Sequence, residues 1–202
     1  MYPQALQHLS IHNNNYSFLV PQAEVVENTY AKNKHTGADF PYWTKIWPAS
    51  IALSEFILIN NNIFKDASVI EVAGGIGLPS LIASQFAKNV VYTDYLPEAV
   101  HWFNYNIQLW KVNNINSRVI NWHHLPTNLT ADFLLLSDVN YNTTDFEALL
   151  QLFNVCKAKR ISIFLAVPQR VSSSLFMKEI AHFIQNQYSF KINNTHCLVL
   201  SI

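Results

Sequence analysis

The chain has 202 residues, of which 50% are apolar and 13% charged, with 13 basic and 13 acidic side chains. That length suits one domain with a sizeable core, and the composition excludes a disordered chain. The zero formal net charge gives no basic excess for a nucleic-acid surface.

No apolar run reaches the ~18–20 residues that span a bilayer. The first residues, Met1-Tyr2-Pro3-Gln4, lack the basic-then-apolar layout of a secretory leader. Cys156 and Cys197 lie far apart, each beside an apolar segment, which predicts two buried free thiols rather than a metal pair. These features point to a cytoplasmic protein without a membrane span.

Residues 7–30 read as short strands, with 7–11 and 16–20 flanking a hairpin loop at 12–15. A polar linker covers 32–39. An aromatic stretch follows with Tyr42, Trp43 and Trp47, and Pro48 opens a helix to about Ile59. Strands are expected over 68–72, 89–93, 118–122, 132–137 and 160–167. Helices are expected over 79–86, from Pro97 to about Trp110, over 144–157 and over 173–187. The sequence Thr144-Asp145-Phe146-Glu147 reads as a capping box. A second hairpin is expected over 188–192 and 196–202. Alternating β and α units define an α/β chain, with residues 1–40 an N-terminal extension and 41–202 a Rossmann-like core.

Residues 69–94 carry the chemistry. A β-branched run meets Ala73-Gly74-Gly75-Ile76-Gly77, then a helix, then a strand ending in Asp94. Glycines let the main chain approach a ligand, the helix start offers free N–H groups, and the acid about 20 residues on can accept ribose hydroxyls. A dinucleotide fingerprint would place glycines at 73, 75 and 78, where the chain has Ala73, Gly75 and Leu78. Glu71, two residues before the turn, would repel a pyrophosphate and suits a cation. A nicotinamide-dependent oxidoreductase is therefore disfavoured.

Other candidates lie at predicted strand ends. They are Trp47 before the first core helix, Trp122, and the segment Ser137-Asp138-Val139-Asn140-Tyr141. Aromatic faces suit adenine and attract a sulfonium. His123-His124 are adjacent, with no ligand at metal spacing, so no metal is expected.

The spacing E-x-A-x-G-x-G at Glu71–Gly77, followed by Asp94, resembles motif I of the class I S-adenosylmethionine-dependent methyltransferases. Trp47-Pro48, Trp122 and the D-x-x-Y of Asp138 to Tyr141 make the chain similar to their lysine-methyltransferase-like branch. That branch includes enzymes acting on electron-transfer flavoprotein β, valosin-containing protein and chaperones. The resemblance implies a doubly wound, seven-stranded, mostly parallel sheet with a C-terminal antiparallel hairpin, here with an N-terminal β-hairpin added. It implies S-adenosylmethionine as cofactor, with Trp47 near its methionine end. Ala73, Gly74 and Gly75 cradle it with their backbone, and Glu71 and Gly77 belong to the same cofactor-binding set. Asp94 takes the ribose, Trp122 flanks adenine, and Ser137 and Tyr141 line the methionine side. Asp138 and Tyr141 frame the acceptor channel as the catalytic pair. The expected reaction is N-methylation of a protein lysine. Alternatives are methylation of a small nicotinamide-like amine and a non-catalytic cofactor-binding scaffold.

Overall fold

A computed structural model describes residues 2–33, 35, 40–124, 130–139, 143–169 and 173–202. Seven strands form one sheet in the order β5-β4-β3-β6-β7-β9-β8. They are β3 (Ser68–Glu71), β4 (Asn89–Asp94), β5 (Ile115–Val119), β6 (Phe133–Ser137), β7 (Ser162–Pro168), β8 (Asn186–Ile192) and β9 (Thr195–Ser201). The pairings from β5 through β7 are all parallel, and β9 alone runs against both of its neighbours. The seven-stranded sheet with its terminal hairpin is the expected one.

Successive side chains of a strand point to opposite faces, and this divides the core in two. Val69 and Leu135 join the cluster that includes α2 (Pro48–Ile59), α4 (Leu78–Ala83) and α5 (Pro97–Trp110). Ile70, Leu134 and Leu136 join the cluster that includes α6 (Phe146–Lys159) and α7 (Ser173–Ile180). Helices thus cover both faces, as parallel strands require. The remaining short helix, α3 (Asn61–Phe64), places Phe64 in the first cluster. Among the described residues, no helix is long and apolar enough to cross a membrane. Cys156 and Cys197 are both buried and free, as read from the sequence.

The N-terminal ribbon pairs β1 (Gln4–Ile11) with β2 (Asn14–Pro21), from Gln4 against Pro21 to Ile11 against Asn14. Its turn is His12-Asn13 alone, both at positive φ (45° and 64°), the tight form that matches strand twist. The ribbon packs Ile11, Phe18 and Val20 into the first core cluster. Asn106 of α5 binds it directly. Its side-chain oxygen accepts from the Leu19 N–H at 2.7 Å, and its amide donates to the Leu19 carbonyl at 2.9 Å. Trp110 donates to the Ser17 carbonyl at 2.8 Å.

Several sequence expectations need correction. Residues after the ribbon form α1 (Ala23–Asn33), where short strands and a polar linker were expected. This helix buries only Val26 among its residues, so no apolar stripe marks it. The strand expected at 118–122 is β5, at Ile115–Val119, and Trp122 lies beyond it in a 3-10 turn, Trp122–His124. Helix α6 starts at Phe146, behind a 3-10 turn at Thr143–Asp145, with Asp145 as its N-cap residue. Helix α7 ends at Ile180 rather than near 187, because Asn186 already belongs to β8.

Candidate active site

Strand order reverses direction between β3 and β6, and the carboxyl ends of strands at such a switch point are where open α/β sheets bind ligands. Glu71 sits opposite Leu135 in this pair, and the Val72 N–H donates to the Leu135 carbonyl at 3.1 Å. Ala73 and Asp138, the residues just past the two strands, both hold a left-handed backbone with φ of 54°. Non-glycine residues rarely adopt it, and it recurs at ligand sites.

The loop after β3 is shaped by its glycines. At Gly77, with φ of 77°, an added Cβ would stand 2.2 Å from the Phe103 ring. At Gly74 it would stand 2.4 Å from the Tyr92 ring. Tyr92 is fully buried, stacks on Phe103 at 3.8 Å, and donates its hydroxyl to the Gly75 carbonyl at 2.5 Å. Gly75 has φ of 57°, and its missing Cβ would lie 3.5 Å from the Trp43 backbone. The loop is therefore clamped between a ring stack and the aromatic segment before α2.

Two carboxylates lie at this loop. Glu71 is completely buried, and its Oε2 accepts from both the Ser80 backbone N–H at 3.0 Å and the Ser80 hydroxyl. Its Oε1 is buried without a partner. Burial, against the opposing pull of the two Ser80 bonds, pushes this carboxyl up to about 8. Asp94 closes β4 and is 4% exposed. It accepts from the Gly75 N–H at 3.0 Å and the Leu96 N–H at 3.0 Å, and the Tyr95 N–H adds to these. Burial, against the pull of these three bonds, still raises its carboxyl from the ordinary aspartate value. A carboxylate has about four acceptor positions, so three backbone donors leave room for one more. Among the described residues, no cation pairs with either acid.

The other sequence candidates occupy this same end of the sheet. Trp47 is the N-cap residue of α2 and donates its indole N–H to the Tyr42 carbonyl at 2.9 Å. Trp122 packs against the second core cluster. Ser137 pairs with Ala166 at the end of β6, and the Asp138 N–H donates to the Ala166 carbonyl at 2.9 Å. Tyr141, expected beside Asp138, lies outside the described residues, as does Asn140. Ser80, Tyr92 and Trp43 were not anticipated as loop supports. The sequence signal for Ser80 was its place in the first turn of the helix after the loop, three residues past Gly77. His123 also has an unanticipated partner, Asp145, at 3.4 Å.

The model of the family described as "Lysine methyltransferase" matches residues 33–183. The chain belongs to this family. Protein-lysine methyltransferase METTL21E of Bos taurus is 29% identical over 137 residues, covering 61% of this chain and 47% of that protein. Histone-arginine methyltransferase METTL23 of Mus musculus is 25% identical over 116 residues, covering 54% and 46%. The chain thus spans about half the length of the first curated relatives it matches. Among solved structures, N-methyltransferase NodS of Bradyrhizobium japonicum WM9, in complex with S-adenosyl-L-homocysteine, superposes with a TM-score of 0.62. Identity is 13%, over 86% of this chain and 97% of that one, a likeness of fold.

Membership in this family makes S-adenosylmethionine the cofactor, and the residues present fit it. Asp94 keeps one acceptor position and has no cation partner among the described residues, and the buried Oε1 of Glu71 is an orphaned polar atom at the same loop, so the site suits a ligand rich in hydrogen-bond donors such as ribose hydroxyls and an ammonium.

Proposed function

We propose that this chain transfers the methyl group of S-adenosylmethionine to a lysine side chain of a protein. The observation that carries the reading is the glycine loop at the switch point of the sheet, with Glu71 and Asp94 buried beside it and no cation paired with either among the described residues. The cofactor supplies an electrophilic methyl on sulfur. The chain supplies position. Ala73, Gly74, Gly75 and Gly77 present main chain to the donor, Asp94 accepts ribose hydroxyls, Trp122 flanks adenine, and Trp47 and Ser137 bound the methionine end. Orientation of this kind can contribute up to ~7–11 kcal/mol to a displacement.

The acceptor amine must arrive without its proton, because an ammonium has no lone pair. Asp138 aligns that amine, and the family resemblance assigns Tyr141, which lies outside the described residues, to the same acceptor. A carboxylate favours the protonated amine, so Asp138 serves binding and alignment rather than proton removal. Protein acceptors are supported by the names of the curated relatives, which include protein-lysine and histone-arginine methyltransferases. Location in the cytoplasm and the division into an extension (1–40) and a core (41–202) belong to the same proposal. The absence of a membrane-spanning helix among the described residues and two free thiols support the first.

The test incubates the purified chain with methyl-labelled S-adenosylmethionine and cell lysate, then locates the label by mass spectrometry. Label on a protein lysine is expected. Label only on a small amine, or only on arginine, replaces the acceptor. Calorimetric binding of NAD without S-adenosylmethionine sinks the reading as a whole.

A further inference from the structure

Helix α1 and the segment 40–47 bring a row of rings and one carboxylate together beside the glycine loop. Tyr30 meets Phe40 at 5.1 Å, Phe40 meets Tyr42 at 5.3 Å, and Tyr42 meets Trp47 at 6.0 Å between ring centroids. The inner end of the row is fixed to the site: Trp43, next in sequence to Tyr42, lays its backbone against Gly75. At the outer end, the Lys45 ammonium stands 5.0 Å from the Phe40 ring centroid and 3.3 Å from Glu27 Oε1. An aromatic face beside a carboxylate is a combination that recognises an ammonium group. Here a lysine of the chain itself occupies it. The occupant is held loosely, since the Lys45 and Glu27 side chains are 40% and 59% exposed, and exposed ion pairs are weak and exchange readily. Tyr42 is 47% exposed and extends the aromatic surface from this spot toward Trp47.

We propose that Glu27, Phe40 and Tyr42 form a lip that binds a cationic side chain of the acceptor protein, near the residue that enters the crevice. Lys45 holds that place in the free chain and yields it when the acceptor docks. The proposal rests on the methyltransferase reading for its choice of a protein acceptor. Charge complementarity sets the chemistry: a basic segment gains both the carboxylate and the ring faces, whereas a phosphate backbone would meet Glu27.

The lip is tested on the full chain with acetylated, amidated hexalysine as probe, by calorimetry at low salt, with thermal unfolding confirming that each variant is folded. Glu27→Gln is expected to weaken binding about 3- to 10-fold, and Phe40→Leu to weaken it by a similar factor. Lys45→Ala is expected to tighten binding about 3-fold, because the resident competitor is gone. In the Glu27→Gln background the same Lys45→Ala change should give no gain. Lys65→Ala removes an equal charge from an exposed site on another surface and should leave binding unchanged. Four results each overturn the lip. These are no hexalysine binding, no effect of Glu27→Gln, a neutral or weakening Lys45→Ala, and a gain from Lys65→Ala equal to that from Lys45→Ala. None of these readings uses turnover. A chain that shows the pattern but methylates nothing refutes the function and keeps the lip. A chain that methylates protein lysine without the pattern refutes the lip alone.

Discussion

Strands β3 and β6 run side by side, and each is followed within two residues by one with φ of 54°, Ala73 after β3 and Asp138 after β6. The backbone solution is shared and the side chains are opposite in kind. Aspartate visits the left-handed region several-fold more often than most residues, whereas alanine is held there by its surroundings. After Ala73 the chain continues through Gly74, Gly75 and Gly77, so the β3 side offers main chain to a ligand. After β6 it offers a carboxylate. Under the proposed function the two halves do different work: one lets a large cofactor lie close to the backbone, and the other sets Asp138 toward whatever receives the methyl.

That contrast can be broken most sharply at Gly77. An alanine there adds left-handed strain of about 1–2 kcal/mol and overpacking against Phe103 of about 1–3 kcal/mol, so Gly77→Ala should lower stability by about 2–5 kcal/mol in denaturant titrations. An unchanged midpoint would mean that the donor half is not tightly packed. On the acceptor half, Asp138→Asn keeps the left-handed turn and removes the charge. Turnover should fall about 100-fold while S-adenosylmethionine affinity, read by calorimetry, stays near its original value. Equal loss of both would erase the division of work.

Glu71 sharpens the donor half through pH. Its folded carboxyl is raised to about 8 from an ordinary 4.5, so the folded chain holds a proton that the unfolded chain releases. That contribution to stability is present in full below about 4.5 and is lost as pH rises through 8. While the proton is held by the folded state alone, the loss approaches about 1.4 kcal/mol per pH unit. Glu71→Gln should flatten this slope in unfolding experiments between pH 5 and 8, and a slope identical to that of the parent chain would remove Glu71 as its source. The smallest effect is expected at Ala73. Ala73→Gly relieves the left-handed alanine and should raise stability by about 0.5–1 kcal/mol in denaturant titrations.

The donor half was the legible half. The run from Val69 to Asp94 shows its strand, turn, helix and strand because each piece is buried and patterned, and the acid follows at a fixed spacing. Helix α5 was read at its observed bounds, with Pro97 at its first turn. Strand β5 was displaced by three residues because an edge strand with mostly exposed side chains has little alternation, and Trp122 drew the reading toward itself. Helix α1 escaped for the reason that it buries one residue. The roles of Ser80 and Tyr92 were hidden because they depend on contacts across the sheet. A serine in a helix and a tyrosine in a strand are unremarked until a buried carboxylate and a ring-free glycine loop are set against them.

The grip of Asn106 on Leu19 bears on how small this protein can be made. Asn106 is fully buried, and it stands on the helix that opens three residues after Asp94. A shortened form lacking residues 1–22 would strip away both hydrogen-bonding partners of Asn106 and bare the apolar surface that Ile11, Phe18 and Val20 now cover. The loss would fall on α5, whose first turn follows Asp94 by three residues. The ribbon thus shares the core of the sheet, and a chain trimmed to the family-matched start at residue 33 is expected to unfold at a lower denaturant midpoint than the full chain.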